Sequence, residues 1–295
     1  MTEWTRPLAA CAMLAFGALA APGAAADRAE DGVGVVAEYK PAAARFNVAR
    51  AGSGPVPVRI GTVVMAGDRL SLPAGAAVVV QQGDGRRREF AGPGNFEIPD
   101  AAPLGKVSSF FRSISAVFDD EYRLAGTAAS RSGEDCRGGE GQVRQIEAPM
   151  LLGEPAIVAG ERDLPLAWVG GCMPFTVSLH SADGSTLYRE SVEGRQVRLD
   201  DVPLAIGRYA VTIQDATGLA FRGSVEAVAA APALPPDLAG DSSPLGVVAG
   251  AVWLAELDGG RWRFESFERL RPLIRAGDPL AGVIGDGVLW GNYGP

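Results

Sequence analysis

The chain has 295 residues, 47% of them hydrophobic by a broad count, with 39 Gly, 21 Pro and a formal charge of −8, a size and turn content that fit two small domains. The acidic balance argues against nucleic acid as a partner: it repels phosphate, and the one basic cluster, Arg86 to Arg88, sits in a turn rather than along an element. Basic charge is almost wholly arginine, with Lys40 and Lys106 the only lysines, which reads as codon bias rather than function.

Arg6, the uncharged stretch LAACAMLAFGALAA and the PGAAA before Asp27 read as a secretory signal peptide over 1–26, cleaved after Ala26. Its apolar run of roughly 14 residues is short of the ~20 that span a bilayer. No later segment is long and uncharged enough to span, so no stable membrane insertion is expected after cleavage. Leu8 to Cys11 has the form of a lipoprotein box. However, most of the apolar core follows Cys11, where a lipid-bearing cysteine would have to come after it.

From Asp27 to about Arg50 the Ala- and Gly-rich sequence predicts a loose start with one strand, GVVAEY. Residues 56–64, 69–72, 76–82, 86–91 and 94–98 then read as short strands. The breaks between them, Ala66-Gly67-Asp68, Pro73-Ala74-Gly75, Gly83-Asp84-Gly85 and Gly92-Pro93, have the residues that tight turns require. The order IGTVVMAGDRLSLPAGAAVVVQQGDGRRREFAGPG resembles the FecR-type periplasmic domain: a strand, a Gly-Asp before a strand, a small-residue turn, a strand, an Asp-Gly hairpin and a closing strand. The resemblance covers about residues 40–98 and implies a β-domain used in protein–protein signalling across the envelope, without catalysis. The chain departs from the best-known members in having no membrane span before the domain and no N-terminal anti-sigma region.

Val107, Phe110, Phe111, Ile114 and Phe118 fall on one face of a helix over about 104–121. Lys106, Arg112 and Arg123 are balanced by Asp119, Asp120 and Glu121, so the helix lacks a cationic face for lipid and is expected to pack on the β-domain, completing a unit over 27–124. Residues 125–145 hold almost nothing able to form a core and read as a flexible linker. With Cys11 removed, Cys136 in this linker and Cys172 remain. In an exported chain such a pair points to a disulfide, with two unpaired cysteines as the alternative.

Over 146–230 alternating runs return: IEAPML, LPLAWVG, FTVSLHS, TLYRES, QVRLD, GRYAVTIQD and LAFRGSVEAV. Their spacing predicts an immunoglobulin-like β-sandwich, anchored by Trp168 and by Tyr209 in an ending that resembles the G-x-Y-x-V-x-x-x-D-x-x-G of many extracellular sandwich domains. A Pro-rich linker over 231–243 leads to a helical tail over 244–295. Helices are expected from Ser243-Pro244, from about Trp262 and from Asp278-Pro279.

Few residues carry a chemical signature. His180, the only histidine, lacks the partners of a triad or a zinc site and reads as a strand-end residue. GDSSP at Gly240 to Pro244 lacks the late histidine an esterase needs, and GVGVVA at Gly32 to Ala37 lacks the strand and helix of a dinucleotide site. Neither Asp119-Asp120-Glu121 nor Asp200-Asp201 sits in an alternating calcium loop. The candidate interface is Asp84, Arg86, Arg87 and Arg88, a hairpin tip with guanidinium groups suited to an acidic partner. The expectation is a mainly β, non-catalytic, periplasmic or secreted module that binds envelope protein and needs no cofactor or metal. The alternatives are a signalling protein like the FecR family and a carboxylate-dependent hydrolase.

Overall fold

A computed structural model describes residues 32–41, 46–50, 52, 54–104 and 145–291. The expected signal peptide, residues 105–121 of the expected helix, the linker up to residue 144 and Cys136 therefore lie outside the described residues.

The N-terminal β-unit is two four-stranded antiparallel sheets. One has the order β4 (Val63–Val64), β1 (Gly34–Lys40), β6 (Ala77–Gln82), β7 (Arg87–Ala91); the other has β3 (Val56–Pro57), β2 (Asn47–Ala49), β5 (Arg69–Leu72), β8 (Gly94–Glu97). Val36, Val48, Leu70, Val78, Val80 and Phe90 are among the side chains buried together in this unit. Two expectations are corrected. The GVVAEY strand expected within a loose start is β1, and the segment is not loose there: β1 is an inner strand of its sheet, buried on both faces between β4 and β6. The strand expected over 56–64 is broken into β3 and β4 by a turn in which the Thr62 hydroxyl accepts from the Arg59 N–H (2.9 Å) and donates to the Pro57 carbonyl (3.3 Å).

The Gly67-Asp68 break carries more than a turn. Asp68, 2% exposed, accepts the Met65 N–H at 2.9 Å and a two-nitrogen contact from Arg50, whose Nη2 also donates to the Val63 carbonyl. A buried carboxylate survives because cation and backbone donors replace its water.

The second unit is a β-sandwich. Strands β10 (Gly160–Ala167) and β13 (Gln196–Leu204) pair as one sheet. The other sheet has the order β12 (Thr186–Val192), β11 (Phe175–His180), β14 (Gly207–Gln214), β15 (Ala220–Val228), β9 (Ala156–Val158), with β9 parallel to β15 and the other pairs antiparallel. Sequence neighbours β10 and β11 lie in opposite sheets while β11 pairs with β14, the crossover of an immunoglobulin-like key. Trp168 is fully buried and packs edge-on against Phe175 at 5.2 Å, and the Tyr209 hydroxyl donates to the Ala205 carbonyl at 2.9 Å to close the corner into β14. The expected strand IEAPML forms only an isolated bridge at Glu147 and a 3-10 turn, Pro149–Leu151, because Pro149 removes a ladder donor.

The tail is helical: α1 (Pro244–Glu256), α2 (Arg263–Arg275) and α3 (Pro279–Trp290). The Ser243 hydroxyl accepts the Gly246 N–H and the Asp278 carboxylate accepts the Ala281 N–H, each with proline in the first turn. These helices share one apolar core with the sandwich and with Val35, Ala37, Val63 and Leu104 of the N-terminal unit. Polar fasteners bind α2 to the sandwich. Glu265 accepts from Arg162 (2.7 Å) and from the Val158 N–H (2.8 Å), and Arg271 pairs with Asp163. Among the described residues no helix is long and apolar enough to cross a membrane.

Candidate functional site

The sequence-nominated interface is the β6–β7 hairpin. Gly85 takes a positive φ of 84°, its N–H donates to the Gln82 carbonyl (3.0 Å), and the Gln82 N–H donates back to the Arg86 carbonyl (2.8 Å). Asp84 accepts the Arg86 N–H at 3.0 Å and lies 3.5 Å from the Arg86 guanidinium, which is 82% exposed. This is a side chain bonding to backbone two residues on, the role that recommends Asp in turns. Arg87 and Arg88 begin β7 and are exposed; Arg88 lies 5.9 Å from the centre of the Phe90 ring. Asp84 thus organises the tip, while Arg87 and Arg88 stand on the outer strand of a four-stranded sheet and Arg86 just precedes it. Arg88 and Phe90 lie opposite Val80 and Val78, on the core side, whereas Arg87 and Glu89 point to the other face.

Cys172 is buried behind the Gly170-Gly171 turn. Gly171 has φ +64° and a Cβ there would stand 2.7 Å from Phe175 and 2.8 Å from Ile146, so the turn needs glycine on two counts. The Cys172 N–H donates to Asp215 at 2.9 Å, and the other Asp215 oxygen accepts the Thr217 N–H (2.9 Å), the Thr217 hydroxyl (2.7 Å) and the Leu219 N–H (2.9 Å). Burial alone would push the Asp215 carboxyl up, but the bonds from Thr217, Cys172 and Leu219 outweigh it and hold the group below the usual carboxylate range. Asp215 is the aspartate of the sandwich ending read from the sequence, and it positions the cysteine.

His180 sits at the end of β11 on the outer face of the five-stranded sheet. Its Nε2 is 3.1 Å from the Ser178 hydroxyl and its Nδ1 is 3.1 Å from the Thr186 hydroxyl. The outline is that of a relay, but a neutral hydroxyl stands where a carboxylate must stabilise an imidazolium, and Ser178 is only 9% exposed. In the turn that follows, the Ser181 hydroxyl, the Ser185 N–H and the Ser185 hydroxyl lower the Asp183 carboxyl to about 2. Burial, with Glu190 next, raises the Tyr188 phenol to about 12. Among the described residues no group of three or more His, Cys, Asp or Glu side chains is placed to hold a metal ion.

The sequence reading missed a second polar surface on this same sheet. The register sets Arg189 opposite Ser178, Ser178 opposite Thr212, and Thr212 opposite Arg222. Directly opposed residues share a face, and Val177, Leu179, Val211 and Ile213 fill the core side, so these four side chains form one row across the outer face. The polar alternation of each strand is visible in the sequence, but alignment of the two arginines needs the pairing.

No protein-family model matches the chain, and no curated protein does, so the FecR-type resemblance stands on its turn pattern alone. Among solved structures the chain is similar to CopC from Methylosinus trichosporium OB3b, at 19% identity over 30% of this chain and 98% of that one, with a TM-score of 0.22. It is also similar to PorZ, described as an essential bacterial surface component of the type-IX secretion system of Porphyromonas gingivalis. That match has 13% identity over 59% of this chain, spans 26% of that chain, and has a TM-score of 0.20. TM-scores of this size assign neither fold nor function.

Proposed function

We propose that the chain is a non-catalytic, exported protein-binding or scaffold module of the cell envelope, docking an acidic partner through the Arg86–Arg88 hairpin. The observation that carries this reading is the hairpin itself. Three exposed arginines follow one another at the start of β7, Arg87 and Arg88 on opposite faces, with Asp84 ordering the tip and Glu89 on the face of Arg87. On an acidic chain such a patch is a local electrostatic exception, able to steer a negatively charged surface. The polar groups inside the molecule support the same reading: Asp68, Asp215 and Glu265 are occupied by backbone N–H groups and arginines that hold the fold.

The test uses the mature chain immobilised against an envelope extract of its own organism, beside the Arg86→Ala/Arg87→Ala/Arg88→Ala variant. A protein retained by the wild type, released by added salt and lost from the variant is the expected result. Equal retention by both chains would overturn the assignment of the hairpin.

A further inference from the structure

We propose that the outer face of the five-stranded sheet binds an acidic glycan, gripped at its two ends by Arg189 and Arg222. The two arginines stand on β12 and β15, on either side of the central pair β11 and β14, in one register line with Ser178 and Thr212. Three interstrand steps of about 4.5–5.5 Å separate their Cα atoms by about 15 Å, the span of an extended ligand rather than a single small ion. Both are exposed, and among the described residues neither has a carboxylate within ion-pair distance. Arg208 on the same face differs, with Glu154 at 3.8 Å.

The surface between them is polar, offered by Thr212, Thr176, Gln214 and Ser191, with Ser178 buried beneath it. Thr176 and Gln214 lie opposite each other one step along the strands, with Ser191 opposite Thr176, while His180 fixes Ser178 through its Nε2. Guanidinium groups match carboxylates in pairs of parallel hydrogen bonds, and hydroxyl and amide side chains exchange hydrogen bonds with sugar hydroxyls. An extended peptide is a poorer occupant. Strands β11 and β14 are flanked on both sides, so a peptide lying across the row meets side chains rather than a backbone edge, the outer edge of the sheet being at β12. A nucleic acid is poorer still, because the row holds no aromatic ring on which a base could stack. The overall charge of −8 opposes any polyanion at long range, so contact is short-ranged and strongest at low salt.

The test is affinity electrophoresis and titration calorimetry of the mature chain with polygalacturonate at low ionic strength, with dextran as the neutral control and polyglutamate as the acidic-peptide control. Polygalacturonate should bind, dextran should not, and Arg189→Gln/Arg222→Gln should weaken binding by roughly tenfold or more, the scale of two lost charge-assisted contacts. Both arginines are exposed, so the double variant should melt with the wild type and its loss be one of contact. Arg208→Gln and the Arg86/Arg87/Arg88 alanine variant should bind as the wild type does, which separates this face from the hairpin. No binding of polygalacturonate, an unaffected double variant, equal binding of dextran, or polyglutamate binding as tightly would each overturn the proposal.

Discussion

Asp215 offers the sharpest test of how this sandwich is held. Replacing it with alanine strips the acceptor from three backbone N–H groups and one hydroxyl. The Cys172 N–H lies in a buried contact, so it is left without water or protein, a penalty of about 1–3 kcal/mol. The Thr217 and Leu219 groups are only part-buried at the turn; water recovers some of what they lose, leaving about 0.5–1.5 kcal/mol each. The expected cost of Asp215→Ala is therefore about 2–6 kcal/mol, or a fall in melting temperature on the order of 10 °C for a chain of this size. Asp215→Asn should lie between, because one oxygen still accepts while the amide nitrogen opposes the Cys172 N–H. The carboxyl is held below its unfolded value, so its stabilisation is complete above the unfolded pKa of ~3.9 and is lost as pH falls through the folded value. Urea titrations at a series of pH values read both effects. The gap between wild type and Asp215→Asn should be constant from pH 7 to about 5 and narrow below ~3.9. An alanine variant within about 1 kcal/mol of wild type, or a gap that does not narrow in acid, would refute the argument.

Trp168→Ala should cost about 3–5 kcal/mol by emptying the core beside Phe175, read by urea unfolding. Trp168→Phe should cost less, since among the described residues the buried indole N–H has no acceptor and is removed with the ring. The Arg86/Arg87/Arg88 alanine variant should stay within about 1 kcal/mol of wild type, because exposed turn charges contribute little; a larger loss would mean the arginines hold the hairpin. Mass spectrometry of unreduced protein from the envelope should show a chain beginning at Asp27 with Cys136 linked to Cys172. Two titratable thiols after denaturation, or a lipid-bearing Cys11, would contradict that expectation.

Local chemistry was the legible part of the sequence. Ser243 and Asp278 cap helices where their spacing said they would, the Gly-Asp and Asp-Gly breaks are turns, and Tyr209 closes a corner. What composition hid was the setting of β1: GVVAEY reads as a lone strand in an Ala- and Gly-rich start, whereas it is a buried inner strand of a four-stranded sheet. Contacts across long loops were invisible for another reason. Arg50 and Asp68 are 18 residues apart, and Arg162 and Glu265 are 103 apart, so nothing in either neighbourhood announces the partner. The Arg189 to Arg222 row belongs to this second class, since a shift of one residue in register would turn either arginine to the other face.

The way α2 is fastened bears on whether the molecule is a scaffold or a switch. A signalling device needs two arrangements close in energy, and sliding α2 along the sandwich would have to break the contacts made by Glu265 and Arg271. Glu265 and Arg162 have side-chain exposures of 11% and 19%, and separating them also leaves the Val158 N–H without its acceptor. Breaking a pair of this kind costs about 3–5 kcal/mol when a charge is left buried, less where water follows it in. Arg271 adds a second pair on the same helix, and the shared apolar core resists the same displacement. A moved helix would therefore be thinly populated without a ligand that repaid all of these terms together. The physical preference is for a helix held fast on its sandwich, which favours the proposed scaffold over a switch.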